Sequence, residues 1–330
     1  MNEKTIDVLA IGNAIVDVIT DSDDGFLSSQ GMAKGSMRLI DAGEAERLYE
    51  AMGPGREASG GSAANTVAGL AALGLRTAFV GQLGDDDLGQ IFAHDIRSLG
   101  VDFRTPPSAD AGATARCLIL VTPDAQRTMN TFLGAAQHLD KSAIDPAAIA
   151  AARIVYLEGY LWDPEQPRAA MEAAIDLAHS AGTKVAFTLS DGFVVERHRA
   201  DFLRLIDEGK IDILFANEQE FLHLAQATSL DSAIADFAGK VPTLVVTRSE
   251  RGALAHSGNE RASVPAEPIE RLVDTTGAGD LFAAGFLAGQ AKGKSLEDSL
   301  RLGAIAASEV IQHYGARPEL DLAALAAPLL

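Results

Sequence analysis

Residues 274–280 read Asp-Thr-Thr-Gly-Ala-Gly-Asp, so small residues stand directly before a carboxylate. Small residues at 277–279 allow the backbone to approach a ligand closely. The apolar run after Asp280 predicts a helix that begins near Ala278, and the free N–H groups and dipole of such a helix favour an anion. The Asp280 carboxylate could there accept a proton from a hydroxyl that attacks a bound phosphoryl group. The alternative is a glycine-rich turn followed by an ordinary helix-start acid.

Polar residues follow two other predicted elements at points where a ligand could bind. Asp17 comes shortly after the first predicted strand, and its carboxylate could accept two hydrogen bonds from a vicinal diol. Asn217 and Glu220 are three residues apart and therefore share one helix face. Spacing alone favours a solvated acidic helix face for this pair, and a surface loop acid is the alternative for Asp17.

Short apolar, β-branched runs alternate along the chain with longer helical patterns, which is typical of a parallel sheet. The predicted strands are 6–11, 77–80, 154–157, 185–189, 211–215 and 243–246. The predicted helices include 63–73, 165–181 and 201–208. We therefore predict an α/β fold, with a three-layer, Rossmann-like parallel sheet that carries helices on both faces.

Two stretches depart from this alternation and predict a second, smaller sheet. Residues 21–40 are rich in Gly and Ser and contain short strand-like pieces. Residues 116–121 and 128–132 read as two strands joined by a turn at 123–125. A small sheet beside an α/β domain would form a lid over a cleft. The expected architecture is one domain over 1–330, with a small β lid formed by about 18–40 and 103–135.

The composition excludes several classes of protein. The 330 residues are 47% hydrophobic, which excludes a disordered chain. The formal charge of −19 disfavours partners such as nucleic acid and anionic membranes. Cys117 is the only cysteine, which excludes an intramolecular disulfide and a Cys-based zinc site. Because no signal-like segment and no apolar run of membrane-spanning length is visible, we expect a cytoplasmic protein.

The Asp-Thr-Thr-Gly-Ala-Gly-Asp segment resembles the C-terminal signature of the ribokinase family of carbohydrate and nucleoside kinases, also called PfkB. Its N-terminal counterpart is visible at 60–65 as Gly-Gly-Ser-Ala-Ala-Asn, and the resemblance covers essentially the whole chain. Within the family, the segments 12–17, 187–190 and 212–220 are most similar to those of adenosine kinases. The resemblance implies a ribokinase-like fold and an ATP-dependent kinase.

The resemblance implies a role for each matching residue around the acceptor. Asp280 would be the catalytic base, and the backbone at Gly277, Ala278 and Gly279 would form the anion hole. The residues on the acceptor side would be Asn13, Asp17, Gly61, Ser62 and Asn65. For Ser62 and Asn65, a helix cap and a polar first-turn residue are the alternatives.

The resemblance also implies a region for ATP and its cations. The residues on the ATP side would be Asn217, Glu220, Thr247, Gly252 and Gly279. Glu220 would act on Mg²⁺ through water, since magnesium usually keeps several waters. Arg127 would clamp the transferring phosphate and the substrate from the lid, with a surface arginine as the alternative. Asp274 and Thr276, with carbonyls near 310–315, match positions that bind a monovalent cation such as K⁺.

Similarity to adenosine kinases implies an apolar slot for an adenine-like base. Its residues would be Ile15, Cys117, Leu133, Tyr160 and Phe193, although core packing explains each of them individually. We therefore expect phosphorylation of the terminal, 5′-type hydroxymethyl group of a nucleoside, with adenosine as the leading acceptor. The alternatives are a sugar kinase for ribose, fructose or a keto-sugar acid, and a nucleoside-binding sensor without catalysis. A monomer and a homodimer through the lid edges both stay open.

Overall fold

The computed structural model describes residues 4–124 and 126–330, so Ala125 of the predicted turn lies outside them. Its strands are β1 Ile6–Ile11, β2 Ile15–Asp21, β3 Met37–Leu39, β4 Arg56–Gly60, β5 Thr77–Val80, β6 Asp102–Phe103, β7 Ala115–Val121, β8 Arg127–Phe132, β9 Ala152–Glu158, β10 Lys184–Thr188, β11 Ile213–Asn217, β12 Thr243–Thr247, β13 Ala253–Ser257 and β14 Glu260–Val264. Its helices are α1 Asp24–Ser29, α2 Ala42–Ala51, α3 Ser62–Ala72, α4 Asp87–Ser98, α5 Pro146–Ala151, α6 Glu165–Ser180, α7 Gly192–Asp207, α8 Glu218–Ala225, α9 Leu230–Phe237, α10 Ala278–Ala291, α11 Leu296–Val310 and α12 Leu322–Ala326. Among these residues, no helix combines the length and hydrophobicity that a membrane span needs.

The large sheet has nine strands in the order β14-β13-β12-β11-β10-β9-β1-β5-β6. The seven neighbouring strands β12, β11, β10, β9, β1, β5 and β6 pair in parallel, as predicted. The strands β13 and β14 add an antiparallel edge. Parallel strands are covered on both faces and therefore need nearly continuous apolar runs, which β1 and β9 contain. The predicted strands at 6–11 and 77–80 coincide with β1 and β5.

Alternate side chains of the central strands enter two apolar cores, one on each face of the large sheet. Val8 and Ala10 of β1 belong to a core shared with α3, α10 and α11. Leu9 and Ile11 belong to a second core shared with α6, α7 and α8. This division follows from the two-residue period of a strand. The predicted three-layer architecture is therefore confirmed.

The smaller sheet has five strands in the order β3-β8-β7-β2-β4. The predicted strands at 116–121 and 128–132 correspond to β7 and β8. The lid predicted from the sequence, at about 18–40 and 103–135, omits β4 and the first residues of β2. The strand β4 escaped prediction because its sequence, Arg-Glu-Ala-Ser-Gly, lacks alternating apolar residues; its pairing with β2 makes it a strand. Phe103 ends β6 and belongs to the large sheet.

The helix predicted at 201–208 is the second half of α7, which begins at Gly192. Asp191 caps this helix and accepts a hydrogen bond from the Phe193 N–H at 2.7 Å. The backbone leaves helical geometry at His198, with φ −117° and ψ 17°. This kink and the charged stretch around it interrupt the apolar periodicity from which a helix is predicted.

Helix α10 packs closely against α3 and α11 because glycines lie at both contacts. A Cβ atom at Gly69 of α3 would lie 2.6 Å from Leu281 Cδ1, and one at Gly285 of α10 would overlap the Leu302 carbonyl. Interiors packed at this density have no room for an added methyl group. Gly69 therefore sets the distance of α10 from α3, the helix that the N-terminal motif opens, and Gly285 sets its distance from α11.

We predict that Gly285→Ala lowers the free energy of unfolding by about 1–3 kcal/mol or more, because the new methyl group overpacks the contact with α11. Urea denaturation measures the change. Gly279→Ala is the matched control in the same helix, since a Cβ atom there would meet no atom within 4 Å. Equal unfolding midpoints for the two variants would contradict the prediction.

Candidate active site

A cavity of about 630 Å³ lies between the carboxyl ends of the large-sheet strands and one face of the smaller sheet. Four neighbouring parallel strands each contribute their last residue to its wall: Glu158, Thr188, Asn217 and Thr247. The smaller sheet contributes Ile15, Asp17, Met37, Leu39, Cys117, Met129 and Thr131. Open α/β sheets bind their ligands at this edge.

The glycine bend before α10 lines this cavity. Gly277 has φ 78°, and a Cβ atom there would lie 2.5 Å from Ala316 Cβ, so both the backbone and the packing require glycine. The helix begins at Ala278, as predicted. The amides of Gly279 and Asp280 lie in the first turn, where intrahelical acceptors are missing. This bend therefore offers N–H groups and a helix dipole to an anion.

The Asp280 carboxylate is held by the first turn of α3. It accepts hydrogen bonds from Ser62 Oγ at 2.6 Å and from Asn65 Nδ2 at 2.9 Å. Burial raises the pKa of Asp280, and these two bonds and the charge of Arg317 partly offset the rise. A carboxyl group with a raised pKa is a stronger proton acceptor once it is ionised. Asp280 therefore has the position and the basicity of a general base.

Ser62 and Asn65 do more than begin a helix. The helix N-cap is Gly61, so the interpretation of Ser62 as a cap is wrong. Its hydroxyl donates to Asp280 instead. Asn65 Oδ1 is buried and has no hydrogen-bond partner among the described residues, which leaves it able to accept a bond from a ligand hydroxyl.

Asp17 lies within β2 of the smaller sheet and faces the same cavity. The β4–α3 junction approaches it closely, because a Cβ atom at Gly60 would overlap its carboxylate. Gly61 has φ 99°, and a Cβ atom there would overlap the Asn13 carbonyl. Burial raises the pKa of Asp17 to about 6, while the charges of Arg317 and Arg127 oppose the rise. The carboxylate therefore lies in a site that disfavours its charge.

Glu158 is a site residue that sequence reasoning missed. It is fully buried at the end of β9 and accepts bonds from the Asn13 N–H at 2.8 Å, Asn13 Nδ2 at 2.6 Å and the Ala63 N–H at 2.7 Å. Burial raises its pKa to about 7. Glu158 thus joins the turn after β1 to the start of α3. The available signal was an acidic residue at the carboxyl end of a buried strand.

Asn217 and Glu220 form a reciprocal cap at the start of α8. Asn217 Oδ1 accepts from the Glu220 N–H at 2.9 Å, and the two Glu220 oxygens accept from the Asn217 N–H at 2.9 Å and from Asn217 Nδ2 at 2.6 Å. Glu220 is only 7% exposed, so the solvated helix face is wrong, and burial raises its pKa to about 7. Both carboxylate oxygens are already bonded, which fits contact with Mg²⁺ through water.

The remaining predicted ATP-side residues divide between the cavity and its surroundings. Thr247 lines the cavity. Gly252 does not: with φ 79° it forms the turn into β13, and a Cβ atom there would overlap the Val264 carbonyl. Its role is therefore to shape the loop after β12.

Arg127 forms a buried ion pair with Asp274, in which Nη1 lies 2.8 Å from Oδ2 and each side chain is 7% exposed. A surface arginine is therefore ruled out. Asp274 also accepts from the Thr276 N–H at 3.0 Å and the Gly315 N–H at 3.1 Å. These donors repel a cation, so the group around Asp274 does not fit K⁺ in this conformation. Apart from the ion pair, the guanidinium nitrogens of Arg127 have no hydrogen-bond partner among the described residues.

All five predicted slot residues line the cavity, together with Met37, Leu39 and Met129, which sequence reasoning missed. Phe193 is 71% exposed, so core packing does not explain it. Cys117 is buried, and burial raises the pKa of its thiol to about 12, which makes it a poor nucleophile. The cavity therefore has an apolar wall beside its carboxylates.

A family model decides the identity of the chain. Residues 37–322 match the model of the pfkB family of carbohydrate kinases. This chain belongs to the PfkB family. It is accordingly an ATP-dependent kinase of nucleosides or carbohydrates. The fold and the family inferred from the two glycine motifs are confirmed.

Solved structures of similar sequence share the fold of this PfkB kinase over nearly its whole length. A probable sugar kinase from Rhizobium etli CFN 42 is 47% identical, with a TM-score of 0.92, over 99% of this chain and 100% of that one. Adenosine kinase from Sinorhizobium meliloti is 48% identical, with a TM-score of 0.90, over 98% and 99%. Among relatives matched by sequence alone, adenosine kinase of Saccharomyces cerevisiae is 26% identical in an alignment 337 positions long, which covers 94% of this chain and 96% of that one.

The raised pKa of Asp17 predicts that this carboxylate destabilises the folded kinase at neutral pH. Because its folded-state pKa is about 6 against an ordinary 3.8, stability is lost as the pH rises through this interval. Asp17→Asn should therefore raise the free energy of unfolding by about 1–3 kcal/mol at pH 8 and by much less at pH 4.5. Urea denaturation at the two pH values measures this.

The matched control is Asp21→Asn, at the exposed end of the same strand. If Asp17→Asn stabilised the protein equally at both pH values, the ionised form of Asp17 would not be destabilised by burial.

Proposed function

We propose that this chain transfers the γ-phosphoryl group of ATP to the 5′-hydroxymethyl group of a nucleoside, with adenosine as the preferred acceptor. One observation carries the proposal: the glycine bend, Asp280 and the whole apolar slot line the same cavity. Apolar and aromatic walls stabilise a purine ring through burial and stacking, whereas a simple sugar would leave them uncovered. The 48% identity with an adenosine kinase supports the same acceptor.

Asp280 acts as the general base in this proposal. It takes the proton of the acceptor hydroxyl while the hydroxyl oxygen attacks the γ-phosphorus, and the bond to the β–γ bridging oxygen breaks to release ADP. The amides of Gly279 and Asp280 stabilise the negative charge on the γ-phosphoryl oxygens, whereas the Ala278 N–H of the predicted anion hole already donates to the Thr275 carbonyl at 3.2 Å. Ser62 and Asn65 fix the carboxylate, since each donates a hydrogen bond to one of its oxygens.

The acceptor's ribose would bind between β2 and the start of α3. Asp17 accepts hydrogen bonds from the vicinal hydroxyls, and the free Asn65 Oδ1 accepts another. Gly61 allows the close approach. Glu158 keeps Asn13 in place, because both nitrogens of Asn13 donate to it. In this arrangement the 5′-oxygen faces Asp280.

The triphosphate would lie across the bend and the ends of β11 and β12. Arg127, whose guanidinium has free donors, leaves Asp274 for the γ-phosphate when the smaller sheet closes as a lid. Closure excludes water, which would otherwise compete with the acceptor. When bound with ATP, Mg²⁺ neutralises phosphate charge, and Glu220 with Asn217 would hold its water shell. Thr247 would contact the phosphates from the end of β12.

Asp280→Asn should lower the turnover number by about 10²- to 10⁴-fold while substrate binding largely survives, because the amide keeps the shape but cannot accept the proton. An ADP-release assay with adenosine measures turnover, and titration calorimetry measures binding.

The matched control is Asp298→Asn. Asp298 also lies in the first turn of a helix and also bonds a serine, Ser295, but it lies outside the cavity. Near-normal turnover of the Asp280 variant would remove this residue from the role of base.

Phe193→Ala should raise the KM for adenosine by about 5- to 150-fold, since stacking of one base on an aromatic ring contributes about 1–3 kcal/mol. The KM for ATP should change little. Leu99→Ala, at an exposed apolar residue outside the cavity, is the control.

The same ADP-release assay with adenosine, inosine, guanosine, ribose and fructose separates the rival activities. The 47% identity with a probable sugar kinase makes the sugars a necessary comparison. If only the sugars supported turnover, and Phe193→Ala did not change that turnover, the acceptor would be a sugar and not a nucleoside. Nucleoside binding without turnover by the intact chain would indicate a sensor.

A further inference from the structure

Arg317, in the loop after α11, contacts the turn that holds Asp280, although no motif marks it. Its Nη1 donates to the Ala64 carbonyl at 3.0 Å, and its Nη2 donates to the Ser59 carbonyl at 2.6 Å and to Ser59 Oγ at 2.9 Å. Ala64 lies in the first turn of α3, between the two residues that hold Asp280. Ser59 lies in β4 of the smaller sheet. One side chain thus joins the C-terminal loop, the smaller sheet and the first turn of α3.

The two residues before Arg317 contact the segment 274–277, which includes the glycine bend before α10. The Gly315 N–H donates to Asp274 at 3.1 Å. Ala316 is buried, and it fills the space where a side chain at Gly277 would lie. The loop at 315–317 is therefore held by the bend at one end and by α3 and β4 at the other.

Arg317 is also the cation among the charged groups that act on the catalytic carboxylate. The titratable groups that interact with Asp280 are Asp17 of β2, Tyr156 and Glu158 of β9, Tyr160 after β9 and Arg317. The charge of Arg317 lowers the pKa of both Asp17 and Asp280, against the effect of burial. An arginine suits this position because its guanidinium stays protonated while its fork makes several bonds.

We propose that Arg317 is a positioning residue for phosphoryl transfer: its charge offsets those of Asp17 and Asp280, and its bonds to Ser59 and Ala64 hold the turn that orients Asp280. This inference rests on the proposed role of Asp280 as the base. The effect of the charge can be separated from the effect of the hydrogen bonds. Lysine at position 317 keeps the positive charge but lacks the forked guanidinium that bonds Ser59 and Ala64.

Arg317→Met should move the acidic limb of the pH profile of kcat/KM to higher pH by about one unit, because a neighbouring positive charge favours the carboxylate form. It should also lower kcat. Arg317→Lys should restore the limb and leave kcat reduced, since the turn is less well held. The matched control is Arg97→Met, which removes an arginine bonded to the Phe103 carbonyl outside the cavity and should leave the pH profile unchanged.

A second measurement does not require turnover. In protein labelled with ¹³C at the aspartate carboxyl groups, the Asp280 signal is assigned by its loss in Asp280→Asn, and its titration midpoint should rise in Arg317→Met. An unshifted midpoint in a folded variant would overturn the inference even if the wild type is an active kinase. Should Arg317→Met fail to fold, Arg317→Lys with a wild-type kcat would equally overturn it. An inactive wild type would instead count against the proposed function.

Discussion

The contact between two helix N-termini is the interaction on which the rest of this site depends. Asp280 in the first turn of α10 accepts hydrogen bonds from Ser62 and Asn65 in the first turn of α3. Both helices thereby place the positive ends of their dipoles beside one carboxylate. In the proposed mechanism, the geometry that would bind an anion therefore also orients the base beside it. Neither helix alone offers both functions.

Much of the surrounding structure serves to keep those two turns together. Glycine contacts bring the α10 axis close to α3, so the separation of the turns follows from backbone packing. Glu158 accepts a hydrogen bond from the Ala63 amide, and Arg317 donates one to the Ala64 carbonyl. Successive residues of one helical turn are thus bound by groups from β9 and from the loop after α11. A turn held on several sides has little freedom to rotate its side chains away from Asp280.

The concentration of carboxylates in this cavity has a cost in stability. Asp17, Glu158, Glu220 and Asp280 all have raised pKa values, and burial is the main cause for each. Burial shifts each of these groups toward its neutral form, whereas the proposed roles of Asp17 and Asp280 require both of them as carboxylates. Arg317 and Arg127 partly offset the repulsion.

The sequence by itself determined the family, the layered parallel sheet and the residues of two glycine motifs. These features can be predicted from sequence because they depend on neighbours in the chain. They follow from the periodicity of strands, the starts of helices and the backbone torsions that glycine can adopt. It also indicated the slot residues, through similarity, and all five line the cavity. The tertiary structure alone decided that β4 is a strand, that Asp274 pairs with Arg127, that Glu158 lines the cavity, and that Arg317 bonds the first turn of α3. Each of these depends on a partner far along the chain, and a buried charge acquires its role from the groups that surround it.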